Sequence, residues 1–245
     1  MSRLIYFIAD LHLSDERADI SACFFEFLKN TASKADQLYI LGDLFEYWVG
    51  DDNVTPLSSS VATALKSLSD SGTEIFFIQG NRDFLLGKKY AEQCGMTLLP
   101  DTQLIELDGK PALIMHGDTL CTRDIDYQKF RAKSRTWWWQ GFMTRLPLAL
   151  RRKIAQNYRT KSAMSTSKKS QEIMDVTQSE VEKVLADSQC DLLIHGHTHR
   201  PAVHNFDVQG KPATRIVLGD WYEQGAWLKV EDGQMELLNQ PFVPT

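Results

Sequence analysis

The chain has 245 residues, 43% of them hydrophobic, and a net charge of −5, a length and apolar share that suit one large domain or two small ones with a real core. No apolar run is long enough to span a bilayer, which excludes a membrane-crossing helix. The four cysteines (Cys23, Cys94, Cys121 and Cys190) show no Cys-x-x-Cys spacing and sit in or beside apolar stretches, so reduced, buried thiols of a cytoplasmic protein are expected.

Leu4 to Ala9 reads as a buried first strand rather than a signal peptide, because it runs straight into Asp10-Leu11-His12 with no small-residue cleavage site. Asp19 is expected to cap a helix whose apolar residues Ile20, Cys23, Phe24, Phe27 and Leu28 recur every three or four positions. Gln37 to Leu41 is a second strand ending in Gly42-Asp43. Thr55-Pro56 opens a helix by cap and first-turn proline, and Ser71-Gly72 closes it. Glu74 to Ile78 is a third strand ending in Gly80-Asn81-Arg82-Asp83, followed by a helix from about Phe84 to Gly95. Alternating strands and helices predict a parallel sheet with crossover helices. Each strand delivers a polar, ligand-type residue at its carboxyl end, the edge where open α/β sheets bind ligands.

Beyond Pro100, Leu104 to Leu107 and Ala112 to Met115 flank Asp108-Gly109, a hairpin signal. The second strand of the hairpin runs into His116-Gly117-Asp118. Arg215 to Leu218, Ala226 to Val230 and Met235 to Leu238 are further short strands, and all are expected in a second, mixed or antiparallel sheet packed on the first. Between them lies a segment of different character, residues 122–170. Arg123 to Lys169 carries +11 against −16 for the rest of the chain, and holds Trp137-Trp138-Trp139, Phe142, Leu146, Leu148 and Leu150. It reads as a basic, aromatic, helical insertion at the rim of a site within a single domain spanning 1–245.

Half of the six histidines fall in His195-Gly-His197-Thr-His199, directly after the apolar run Leu192-Leu193-Ile194. On an extended chain these alternate positions share a face. Together with Asp10, His12, Asp43, Asn81 and His116 they form an oxygen and imidazole set without thiolates, which suits two adjacent Mn, Fe or Zn ions. Taken singly, an Asp beside Gly is a turn signal and an Asn before a helix is a cap; it is their common place at strand ends that speaks for a metal site.

The runs Asp10-x-His12, Gly42-Asp43, Gly80-Asn81-Arg82-Asp83, His116-Gly117-Asp118 and Gly196-His197-Thr198-His199 resemble, in order, the motifs of the calcineurin-like metallophosphoesterase superfamily. The resemblance implies an α/β fold of two sheets flanked by helices (αββα), here with the insertion as a lid. It implies one metal on Asp10, His12, Asp43 and His199. A second would lie on Asp43, Asn81, His116 and His197, with Asp43 bridging. His195 lies outside the pattern and is expected either to support the ligands from behind or to be structural. Many members have His after the motif Asn; here Arg82 stands there and cannot give up a proton at working pH. An alkoxide leaving group wants an acid, whereas a phosphate, with a second pKa near 6, does not. Arg82 therefore points to a phosphoanhydride and to a bidentate grip on phosphate.

More narrowly, Leu41-Gly-Asp-Leu-Phe-Glu46, Gly80-Asn-Arg-Asp-Phe-Leu-Leu-Gly87, Met115-His-Gly-Asp-Thr-Leu-Cys-Thr122 and His195-Gly-His-Thr-His-Arg-Pro201 resemble the branch of that superfamily that hydrolyses UDP-2,3-diacylglucosamine in bacterial lipid A synthesis. That resemblance runs through the insertion. It implies manganese, water attack on the α-phosphorus, and substrate contacts at Asn81, Arg82, Asp124, Ser162, Thr166, Lys169 and His197. Ser162, Thr166 and Lys169 are spaced to share one helical face, leaving Trp137, Trp138, Phe142 and the leucines to meet acyl chains. Basic, aromatic and leucine-rich composition also suits peripheral contact with an anionic membrane surface, so a monomer at the cytoplasmic face of the inner membrane is expected, without a nucleic-acid partner. Two alternatives stand beside this: a nucleotide pyrophosphatase or phosphodiesterase of the same fold acting on a soluble substrate, and an RNA-binding module with vestigial metal residues.

Overall fold

Ile5–Ile8 (β1) is apolar throughout because both of its faces are covered. Ile5 and Phe7 point into the space between two sheets, while Tyr6 and Ile8 point to helices on the other side. Its parallel neighbours are Gln37–Ile40 (β2) and Glu74–Phe77 (β3), which place Phe7, Tyr39 and Phe76 in register. Those three rings stack with centroids 4.8 Å apart. The computed structural model describes residues 3–166 and 175–242, with the backbone alone over 159–166.

Helices Ala18–Asn30 (α1), Pro56–Asp70 (α2) and Lys88–Cys94 (α3) cover the outer face of this sheet through Phe24, Phe27, Val61, Leu65 and Tyr90. Thr55 and Ser58 form a reciprocal cap at the start of α2, as the Thr-Pro signal predicts. The second sheet holds Thr102–Leu107 (β5), Lys110–Met115 (β6), Leu192–His195 (β7), Ala202–Val208 (β8) and Lys211–Val217 (β9), in the order β5-β6-β7-β9-β8. Ala112, Ile114, Leu192, Ile194 and Ile216 face the first sheet. Leu113, Met115 and Leu193 face outward, against Val181 and Leu185 of Gln178–Ser188, the last helix described. The layers are therefore helix, sheet, sheet, helix, as expected.

Among its described residues the insertion forms three helices, Ile125–Ser134 (α4), Trp137–Arg145 (α5) and Leu148–Thr166 (α6); the helix Gln178–Ser188 is labelled α7.

Four local expectations change. Arg17, not Asp19, occupies the N-cap of α1; Asp19 lies in the first turn, where Arg17 Nε donates to it at 2.9 Å. A first-turn acid favours the helix dipole much as a cap favours the end, so the two look alike in sequence. The third helix starts at Lys88 rather than near Phe84, because the Gly87 amide is held by Asp51 Oδ1 at 2.8 Å and the Leu86 amide by the Asp83 carbonyl. The C-terminal hairpin, Gln224–Glu231 (β10) and Gln234–Pro241 (β11), joins the first sheet, with β10 antiparallel beside β1. An edge of the second sheet is taken by β8, a mostly exposed strand whose Phe206 and Val208 pack on the core beneath the last helix and which was not anticipated. The short edge strand Met96–Leu98 (β4) was also not anticipated.

Candidate metal centre and its adjoining pocket

The carboxyl ends of β1, β2 and β3 open at the same edge as those of β6 and β7, and the loops that leave them are tied together. The Asp10 amide donates to the Gly42 carbonyl at 3.1 Å, the His12 amide to Asp43 at 2.9 Å, and the Gly196 amide to His116 at 2.9 Å. The chain leaves β7 at His195, so His197 (φ 70°) and His199 (φ 54°) do not sit on an extended strand. Asp10, His12 and Asp43 share this left-handed backbone, a strained conformation for residues with a Cβ that recurs at functional sites.

All seven expected metal residues meet here. His12 Nε2 lies 3.7 Å from Asp43 Oδ2, and His116 Nε2 lies 3.7 Å from Asp43 Oδ1. His199 Nε2 is 3.4 Å from Asp10 Oδ1 and 3.4 Å from His12 Nε2. Asn81 Oδ1 is 2.8 Å from His116 Nε2. The His197 ring meets His116 edge-on, with centroids 4.9 Å apart, and its amide donates to Asp10 Oδ2 at 2.7 Å. Two groups of ligand atoms result: one around Asp10, His12 and His199, the other around Asp10, Asp43 and His116. Asp10 is common to the two groups, and the two carboxylate oxygens of Asp43 face His12 and His116, each at 3.7 Å.

The residues fit divalent cations. His116 Nδ1 donates to the Leu41 carbonyl at 2.8 Å, and His199 Nδ1 meets Asp220 Oδ2 at 3.0 Å, which turns both Nε2 atoms inward. Asp10 Oδ1 is buried and makes no in-line hydrogen bond, with His199 Nε2 standing off at 3.4 Å, an arrangement a cation would satisfy. At Gly80 a Cβ would sit 2.1 Å from Asp43 Oδ1, so glycine is what lets the backbone approach the carboxylate.

Burial shapes the electrostatics. It opposes ionisation of Asp10, but His199, with His116 and His12 further out, holds that carboxyl well below the usual range. Burial likewise works against a charge on His199, yet Asp10 and Asp220 push it up to about 10. Burial and the neighbouring His116 bring His197 down to about 4, leaving the neutral imidazole that metal binding requires. Burial, then the charge of Asp43, lifts Asp83 to about 6. Asp83 accepts from the Gly80 amide at 2.8 Å and the Leu44 amide at 2.7 Å, clamping two ligand loops.

His195 is fully buried and belongs to neither group of ligand atoms. Its Nδ1 donates to the Gly196 carbonyl at 2.7 Å while Arg215 Nη1 reaches its Nε2 at 3.3 Å, so both ring nitrogens are engaged by the protein itself. Glu46, Asp220, Tyr222 and Arg215 were not anticipated. Glu46 Oε2 is 3.1 Å from His12 Nδ1, out of line for a hydrogen bond. Tyr222 stacks on His12 at 5.3 Å. Asp220 was within reach of sequence reasoning, since Gly219-Asp220 follows a strand as Gly42-Asp43 does.

Beside Asn81 and Arg82 opens an apolar pocket of about 790 Å³, open mouth included, lined by Trp48, Phe84, Phe130, Trp139, Met143 and Tyr158 among others. Arg82 donates its amide to Asp43 Oδ1 at 2.8 Å, and its buried Nε has no partner. Trp137, Trp138 and Phe142 do not line this pocket; they are 85%, 51% and 59% exposed, because α5 turns Trp139 and Met143 inward instead. Asp124 is the N-cap of α4 and accepts from the Tyr127 amide at 3.2 Å. Ser162 and Thr166 fall on the α6 backbone with their side chains outside the described residues, and Lys169 lies outside them altogether.

Two sheets with metal-type ligands at their joined carboxyl edges define the calcineurin-like phosphoesterases, and residues 3–201 match that family. The chain belongs to it. Over 96% of its length it is 50% identical to a UDP-2,3-diacylglucosamine hydrolase of Vibrio parahaemolyticus and 52% identical to one of Escherichia coli, covering 98% of each.

Proposed function

We propose that the protein hydrolyses the pyrophosphate bond of UDP-2,3-diacylglucosamine, releasing UMP and 2,3-diacylglucosamine 1-phosphate in lipid A synthesis. The observation that carries this reading is identity of about half the residues along nearly the whole chain with hydrolases of that substrate. The pocket supports it: an apolar chamber opening beside Asn81 and Arg82 suits a phosphosugar that carries acyl chains.

Asp10, His12, Asp43 and His199 would hold one divalent cation; Asp43, Asn81, His116 and His197 would hold the other. We take both as manganese, which this thiolate-free donor set accepts. When bound, such a pair activates a water and clamps the phosphoryl oxygens of an in-line displacement. The protein's own residues position the substrate. Arg82, its guanidinium lining the pocket beside Asn81, grips the pyrophosphate; Asp124, Ser162, Thr166 and Lys169 complete the contacts to the head group. The leaving group is a phosphate, so no side chain need protonate it. Residues 122–170 act as the lid over the acyl chains within a single domain, and one chain supplies every residue of the site, so a monomer suffices. None of the described helices is long and apolar enough to cross a membrane. The exposed Trp137, Trp138 and Phe142 on a basic segment support peripheral attachment to the anionic, cytoplasmic face of the inner membrane.

Hydrolysis in heavy-oxygen water, followed by phosphorus NMR, tests the reaction. The label is expected in UMP. Label in the sugar phosphate, or faster cleavage of p-nitrophenyl phosphate than of the acylated UDP-sugar, would overturn it.

A further inference from the structure

Asp118 closes the His116-Gly117-Asp118 run, is 2% exposed, and is absent from the ligand groups around Asp10 and Asp43. What it touches is the insertion. Asp118 Oδ2 accepts from the Tyr127 hydroxyl in a short hydrogen bond and from Arg131 Nε at 2.7 Å, and its carbonyl accepts from Gln128 Nε2 at 2.8 Å. Residues 127, 128 and 131 share one face of α4, so a whole helical face closes on a single residue two positions beyond a metal ligand. Tyr127 is thereby fixed with its ring 6.2 Å from that of His197 and in the lining of the apolar pocket. The linkage continues: Arg131 Nη2 reaches Asp101 at 2.6 Å, and Asp101 also meets Arg135 at 3.1 Å. Arg135 donates to the Gly80 carbonyl at 2.9 Å, immediately before Asn81. Thus α4 is fastened to the His116 loop at one end and to the Asn81 loop at the other.

We propose that Asp118 is a positioning residue that holds α4, and through it Tyr127, in register with the metal site, so that the pocket wall and the reacting phosphorus keep a fixed separation. The inference deepens the function proposed above and rests on it for its kinetic readout. A long acylated substrate spans both parts. Loosening their register should therefore weaken its binding more than the chemical step, and leave the metal residues loaded.

The experiment compares wild type, Asp118→Asn, Tyr127→Phe, the double variant, and Arg131→Gln as a milder cut of the same linkage. Steady-state kinetics on UDP-2,3-diacylglucosamine are measured with manganese content and amide hydrogen exchange over residues 125–134. Asp118→Asn is expected to raise KM roughly tenfold with a smaller fall in kcat. Manganese content should hold at the wild-type level, exchange in α4 should quicken, and the double variant should be no worse than Asp118→Asn alone. Arg131→Gln should shift KM and exchange the same way by less, which keeps the test alive if Asp118→Asn fails to fold. A fall in kcat with KM unmoved, a loss of manganese, additive effects of the two substitutions, or unchanged exchange in α4 would overturn the assignment. Should wild type itself leave the acylated UDP-sugar intact, the functional reading fails, and the exchange data still decide whether Asp118 fastens α4.

Discussion

His199 takes its orientation from Asp220, whose Oδ2 lies 3.0 Å from Nδ1, the place of an outer partner that would fix a metal-binding imidazole. Asp220→Asn is therefore expected to weaken manganese binding about 10- to 100-fold. Titration of activity against added manganese should show the midpoint displaced and the plateau largely restored. His195 gives a prediction of opposite character. Burial, with the Arg215 charge adding to it, holds its pKa down to about 3, well below the unfolded value of 6.5. Between those values the unfolded chain binds the extra proton, so stability contributed by neutral His195 is complete above pH 6.5 and drains away as pH falls towards 3. Going from pH 7 to pH 5 this component amounts to about 2 kcal/mol. Urea unfolding of metal-free His195→Gln should lose correspondingly less stability over that interval than wild type. The convergence of the candidate ligands was legible because each follows an apolar strand and breaks its pattern. Their partners were not, since Glu46 and Tyr222 act from loops whose position only the fold determines.

The insertion is fixed at its far side as well as at α4. Arg151 of α6 is 2% exposed and donates to the carbonyls of Val49 and Leu146 at 2.6 and 2.9 Å, and to Asp52 at 2.7 Å. Asp52 is itself more than half exposed, so solvent screens the ion pair and the buried carbonyls carry most of the effect. Arg151→Ala should cost about 1–3 kcal/mol, measured as the shift of the unfolding midpoint, and should open the pocket wall at Ile154 and Tyr158. Elements with two covered faces or a strong cap, such as β1 and α2, could be read from the sequence directly. The start of α3 could not, because a side chain 36 positions away, Asp51, terminates the preceding loop. Nor could the sheet membership of β10: an apolar strand fits either sheet, and the pairing with β1 is a long-range choice. In α5 the composition showed aromatic character without showing which face turns inward, so Trp139, which lines the pocket, was passed over in favour of Trp137, which does not.

Across the whole molecule the charge is divided, +11 from Arg123 to Lys169 against −16 elsewhere. The exposed Trp137, Trp138 and Phe142 lie within the positive part. Replacing Trp137 and Phe142 together by Ser should lower binding to anionic vesicles by roughly tenfold or more, while hydrolysis of substrate dispersed in detergent persists. Vesicle sedimentation with anionic and neutral lipid provides the measurement; equal retention of wild type and variant would count against this surface. The neighbourhood of β1 and β10 has a consequence for how the protein comes into being. The Trp221 amide is bonded to the Asp10 carbonyl, and Asp220 beside it orients His199. The first ligand made and the last parts of the site are thus separated by most of the chain, which takes roughly 10 to 40 s to synthesise. A nascent chain cannot make the Trp221–Asp10 bond, or set Asp220 behind His199, until this late segment has been synthesised. All seven candidate ligands thus precede in synthesis the carboxylate that orients His199.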